Sequence, residues 1–256
     1  MQRISEVKDL QLRESFCRET WEMVQKYFEV ADTPEEADVA LVFIDSPFSG
    51  WGYRLSEALK TTHQEHLASE AQLGVDNYFI PAGSKVSAPG NGYYPISLQY
   101  GDYVATTARE KSLAGGSPFE PSDNRSYRGK GVKTYNAPDL TLVQEMRKRM
   151  GSGKVVVVIN SSNPTVLGEL EPLADAILIT FDIQKQAILE VLAGLYEPSG
   201  LLPFQMPATM ATVEAQAEDT PRDMECYVDA DGHTYDFAYG LNWQGVIDDE
   251  RVKKYR

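Results

Sequence analysis

The chain has 256 residues, 24 Lys and Arg against 38 Asp and Glu, a formal net charge of -14, and 42% hydrophobic and 24% charged side chains. This length holds one large domain or two small ones with a full core, and the composition excludes wholesale disorder. The acidic balance disfavours nucleic acid and anionic membrane surfaces, no apolar run nears the ~18 residues of a membrane span, and two distant cysteines with three histidines, without C-x-x-C or H-E-x-x-H, point away from a disulfide framework or zinc.

Residues 1–6 lead into a polar stretch with no apolar h-region, so no signal peptide is read from the chain. Val7, Leu10, Phe16, Val24 and Phe28 predict a helix over 5–30. Thr33-Pro34-Glu35-Glu36 reads as a short capped turn of helix with Pro34 at its first position. The continuous apolar run 39–44 is expected to be a strand buried on both faces, the kind found in parallel sheets. It runs into Asp45-Ser46-Pro47-Phe48-Ser49-Gly50-Trp51-Gly52-Tyr53, a loop past a strand's carboxyl end, where open α/β sheets place ligands. A βα connection carrying a solvated aspartate is the plain alternative.

A polar helix is expected over 54–72. The stretch 74–136 is rich in Pro, Gly and aromatic residues, among them Tyr78, Phe79, Tyr93, Tyr94, Tyr100 and Tyr103. It is too long for a structureless loop, so parts of it must be ordered. Exposed tyrosines would suit sugar stacking or a protein interface, and a locally packed insertion is equally open.

Regularity returns at 137. A helix through Met150, ended by Gly151 and Gly153, leads to a strand over 154–160. Pro164 is expected to start a short helix, 175–181 to form a third buried strand, and 184–194 an amphipathic helix burying Ala187, Ile188, Val191 and Leu192. The alternation implies an α/β fold with a parallel sheet and right-handed crossovers. Val156, Val158, Ile177 and Ile179 are its expected core, with Ile177→Ala costing roughly 2–5 kcal/mol. Asp229-Ala230-Asp231-Gly232 shares only the opening of a calcium loop, and neither G-x-G-x-x-G nor G-x-x-x-x-G-K-[ST] follows a strand. No cofactor and no metal are implied.

Residues 155–160 with Asn163-Pro164, the run Ala174-Asp175-Ala176-Ile177-Leu178, the turn Glu197-Pro198-Ser199-Gly200-Leu201-Leu202-Pro203 and the closing Tyr235-Asp236-Phe237-Ala238-Tyr239-Gly240-Leu241 resemble, in order and spacing, the second domain of glycoside hydrolase family 3. The likeness extends to 37–42 and is loose over 60–130. It implies a three-layer α/β sandwich with a mostly parallel, about six-stranded sheet, and the long Tyr-rich stretch of this chain is an insertion longer than the family's usual connection. The whole chain, 1–256, would be one such domain: an N-terminal helical segment 1–34, an insertion 54–136, the core 137–243 and a tail 244–256.

In that family the domain packs beside a (β/α)8 barrel that supplies the aspartate nucleophile from an S-D-W-type motif. No Ser-Asp-Trp occurs here, and 256 residues cannot also hold a barrel. The resemblance therefore implies one part of a β-glucosidase-like enzyme, acting on a β-glucoside-like carbohydrate with the barrel as partner and inactive alone. Asp45 stands nearest the family's acid/base glutamate and is shorter by one methylene. Glu120 is the weaker alternative, and Trp51 and Tyr53 offer sugar-stacking faces. A typical family member would be periplasmic or secreted. The competing reading is a non-catalytic carbohydrate- or protein-binding module on the same sandwich.

Overall fold

The computed structural model describes residues 3–5, 22–49, 97–105, 131–132, 134–217 and 220–255. In chain order the elements are β1 (Arg3–Ser5), β2 (Glu29–Ala31), β3 (Val39–Asp45), β4 (Tyr103–Val104), β5 (Gly131–Val132), α1 (Ala137–Met150), β6 (Lys154–Asn160), β7 (Ala176–Thr180), α2 (Lys185–Leu192), α3 (Met210–Ala215), β8 (Leu241–Asn242), β9 (Gly245–Val246) and α4 (Glu250–Tyr255). Short 3-10 turns occupy Pro34–Glu36, Leu167–Glu169 and Glu171–Leu173. The chain forms two compact units. One comprises Met1–Ser46, Pro138–Met206 and Cys226–Arg256; the other comprises Pro47–Ala137 and Pro207–Glu225.

The first unit is built on a parallel sheet of order β3-β6-β7. β6 carries five consecutive β-branched residues, 155–159, whose stiff side chains favour the extended backbone. Ala40, Val42 and Ile44 lie in register with Val155, Val157 and Ile159, and all six are buried. In-register neighbours project to one side of a sheet, so these six make one continuous apolar face. On the opposite face Leu41 and Phe43 pack against Val24, Phe28 and Leu189, the last from α2. β1 and β2 pair in parallel, and β1 runs alongside β3.

α1 carries Pro138 and Asp139 in its first turn and Arg147, Lys148 and Arg149 in its last, which suits the helix dipole. Gly151 ends it at φ +56°, a left-handed conformation that a side chain would oppose. At the amino edge of the sheet Asp175 accepts from Lys154 Nζ (2.7 Å), Arg147 Nη1 (2.8 Å) and the Val155 N–H (2.9 Å). These contacts, the Lys154 bond foremost, hold its carboxyl down to about 2 against the opposing effect of burial.

In the second unit β4 and β5 pair antiparallel. Tyr100 is 0% exposed, and Thr134 Oγ1 donates to the Gln99 carbonyl (2.8 Å). The Leu98 N–H meets Met210 Sδ at 3.2 Å. Thr209 caps α3 by accepting from the Thr212 N–H (3.2 Å).

Several expectations are corrected. The helix over 5–30 stops early: 22–24 are helical, but Glu29–Ala31 is strand, as is Arg3–Ser5, because each finds a partner in the other; 6–21 lie outside the described residues. β7 is not buried on both faces. It is the edge of the described sheet, so Ile177 and Ile179 stay half-exposed. Val156 is half-buried as well, whereas Val158 is buried. Pro164 begins no helix; the chain stays extended until the 3-10 turn at Leu167. In α2, Ala187 is exposed and Leu189 takes the core position beside Ile188. The polar helix at 54–72, with Tyr78, Phe79, Tyr93 and Tyr94, lies outside the described residues. Tyr100, buried in the second unit, presents no stacking face.

Candidate functional site

Parallel register brings the last residues of three strands together: Asp45 of β3 faces Asn160 of β6, which faces Thr180 of β7. Asp45 is half-buried at this carboxyl edge. Its Oδ1 accepts from Asn160 Nδ2 at 3.4 Å, and its backbone N–H donates to Asp139 Oδ2 at 3.3 Å, tying the first turn of α1 to the end of β3. Asn160 Nδ2 also donates to Asp182 Oδ1 (3.1 Å), and Asn160 Oδ1 accepts the Asp182 N–H (3.1 Å). Asp182 holds φ +49°.

One residue further on, the Ser46 N–H donates to the Asn160 carbonyl (3.0 Å), and Ser46 Oγ accepts the Ser162 N–H (3.1 Å) beside the Ser162 hydroxyl (3.2 Å). The edge is therefore a ridge of carboxylates, one amide and hydroxyls. Such groups can exchange protons and bond hydroxyl-rich ligands. Among the described residues no group of three His, Cys, Asp or Glu side chains is arranged to hold a metal ion.

Of the candidate site residues Asp45, Trp51, Tyr53 and Glu120, the structure describes Asp45; Trp51, Tyr53 and Glu120 lie outside the described residues. Asn160, Asp182 and Asp139 were missed. Asn160 reads as the polar end of an apolar strand, and only the pairing of β3 with β6 puts it opposite Asp45. The available signal was the matched polar ending of two apolar strands, Asp45 after 39–44 and Asn160 after 155–159.

The two closing stretches of the first unit meet each other. The Leu202 N–H donates to the Tyr239 carbonyl (2.7 Å), and the Ala238 N–H to the Leu202 carbonyl (2.9 Å). A hairpin bridged at Val228 and Thr234 carries Tyr227, Tyr235 and Tyr239 in ring contact, with centroids 5.5 and 4.8 Å apart. Burial, then the hydrogen bond from its own hydroxyl to Glu171 (3.0 Å), pushes Tyr227 up to about 12. Burial likewise pushes Tyr239 up to about 12. The resembled calcium loop is filled from within: Asp229 accepts the backbone N–H groups of Asp231 and His233 and pairs with the His233 ring at 3.0 Å. Burial pushes the Asp229 carboxyl up, but the His233 contacts and the Asp231 N–H together outweigh it and hold the group below its ordinary value.

Among known proteins, the model of the glycosyl hydrolase family 3 C-terminal domain matches residues 102–243. Beta-glucosidase C of Emericella nidulans is 33% identical over 124 residues, 47% of this chain and 19% of that protein. Probable beta-glucosidase C of Aspergillus flavus is 36% identical over 83 residues, 32% of this chain and 13% of that protein. The matched stretches thus span less than a fifth of either relative. The family match covers more than half of the chain and includes both closing stretches and the strands β6 and β7, so the chain belongs to the glycosyl hydrolase family 3 C-terminal domain family.

Proposed function

We propose that this chain is the second domain of a β-glucosidase-like glycoside hydrolase, whose active site is completed by a (β/α)8 barrel domain. Its substrate is a β-glucoside-like carbohydrate. The observation that carries the reading is the position of Asp45, at the carboxyl end of a parallel strand beside Asn160, in a chain of this family.

Glycoside hydrolysis with retention needs two carboxyl groups about 5–5.5 Å apart across the scissile bond. One attacks the anomeric carbon; the other protonates the departing oxygen and then takes a proton from water. Asp45 is the acid/base, and the barrel provides the nucleophile. Being one methylene shorter than glutamate, Asp45 requires the barrel to sit closer to the sheet edge. Glu120 is the next carboxyl group to test if Asp45 is dispensable. Trp51 and Tyr53 follow Asp45 closely in sequence and would offer their rings to the C–H face of a pyranose.

The wider architecture belongs to the same proposal: one domain over 1–256, a sheet of about six strands, and a Tyr-rich insertion over 54–136. The parallel pair β1–β2 and the course of β1 alongside β3 support a sheet wider than three strands. The chain alone is expected to be inactive, because it holds one half of the carboxyl pair. The test is turnover of an aryl β-glucoside by the chain, by a barrel domain and by the two together. Sugar or protein binding without turnover in every combination would favour the non-catalytic module.

A further inference from the structure

We propose that Trp243 and Tyr196 belong to a surface platform that binds a neutral β-linked gluco-oligosaccharide; the choice of sugar rests on the carbohydrate reading above. Two stretches of the first unit run side by side here. The Leu202 N–H donates to the Tyr239 carbonyl (2.7 Å), and the Trp243 N–H donates to Glu197 Oε1 (3.3 Å). The two stretches and the hairpin that follows carry Leu195, Tyr196, Leu241, Trp243 and Val246. These are five of the nine large hydrophobic side chains that the described residues leave exposed. Apolar side chains scattered singly over a surface need no explanation, whereas a concentration of them marks a binding surface.

The backbone beneath Trp243 is fixed. Trp243 and Gln244 form the turn between β8 and β9, in which Leu241 pairs with Val246 and Asn242 with Gly245. Gly245 takes φ +118°, open to glycine and strained for other residues, and the Gln244 N–H donates to Asn242 Oδ1 (2.9 Å). On this support the Trp243 side chain is 62% exposed, and Tyr196, next to Glu197, is 61% exposed. The net charge of -14 opposes a second copy or any other acidic partner on this face, and a neutral sugar meets no such repulsion. The C–H face of a pyranose matches an exposed aromatic ring. Its hydroxyls match the indole N–H, which donates, the Tyr196 hydroxyl, and the Glu197 carboxylate, which accepts.

The three tryptophans give three indole N–H resonances, and W243F identifies that of Trp243. Titrating the full chain with cellopentaose or laminaripentaose should move the Trp243 resonance in a saturable way. In calorimetry W243A should weaken binding at this site roughly tenfold, the scale of one aromatic contact. E197A, which keeps the ring and removes the acceptor, should weaken the binding read at the Trp243 resonance by a smaller factor. A Trp243 resonance that neither sugar moves, or a W243A isotherm that superimposes on that of wild type, would overturn the platform. So would a dimer in sedimentation that W243A dissociates, because a second copy would then cover this face. Turnover with a barrel domain but no shift at Trp243 would overturn the platform and leave the proposed function standing. A saturable shift at Trp243 without turnover in any combination would do the reverse.

Discussion

A Cβ placed on Gly240 would stand 2.2 Å from the carbonyl oxygen of Gly200 and 3.1 Å from Leu201 Cδ2. The Gly200 carbonyl is backbone, so it cannot swing aside as the Leu201 side-chain tip can. This close approach is the physical reason the second stretch carries a glycine at 240, whereas a Cβ on Gly200 would meet nothing within 4 Å. Gly240→Ala should therefore cost about 1–3 kcal/mol, as overpacking does. It should appear in urea unfolding as a lower midpoint with an unchanged slope. An unchanged midpoint would show that the two stretches do not pack this closely.

Asp175 ties the end of α1 to the start of β6 through Arg147, Lys154 and the Val155 N–H. Its folded carboxyl sits at about 2, below the ordinary aspartate value of about 3.9. A depressed carboxylate stabilises the fold above its unfolded value and loses that contribution as pH falls through the folded one. Wild type should exceed Asp175→Asn by roughly 1–2 kcal/mol near neutral pH. The gap should shrink as pH falls from about 4 towards 2. A gap independent of pH would show that the carboxylate's charge is not what matters.

The position of β7 at the edge of the described sheet sets a contrast between two isoleucines facing the same side. Ile159 and Ile179 are register partners, and Ile177 precedes Ile179 on the same face. Ile159 is fully buried, while Ile177 is half-exposed. Ile159→Ala should cost roughly 2–5 kcal/mol, and Ile177→Ala about 1–2 kcal/mol, since less apolar surface leaves its packing. Equal costs in chemical denaturation would mean that β7 is covered as fully as β6.

Where local sequence and tertiary structure agree, the chain is readable directly. The β-branched run ending at Asn160 is a strand over the expected residues, and α1 begins and ends where Pro138 and Gly151 indicate. Three-residue strands such as Glu29–Ala31 are too short to show a period, and their conformation comes from pairing with a distant segment, so Val30 was absorbed into a helix. The half-exposure of Ile177 is equally invisible from sequence, because its apolar run is the same as that of a central strand; sheet order alone makes the difference. At the site, Asp45 was legible from its place after a buried strand. Asn160 and Asp182 were not, since their relation to Asp45 exists only in the register of β3 against β6 and in the left-handed turn after β7.

Asp45 is the proposed acid/base of an active site shared with a barrel domain. The most direct measurement is turnover of an aryl β-glucoside by this chain alone, by a family 3 barrel domain alone, and by the two combined, with wild type and Asp45→Asn in parallel. No turnover is expected from the chain alone, and activity is expected in the combination. Asp45→Asn, with the fold intact by circular dichroism, should lower that activity by about 10²–10⁴. Robust turnover by the purified chain alone, or an unchanged rate in Asp45→Asn, would contradict it.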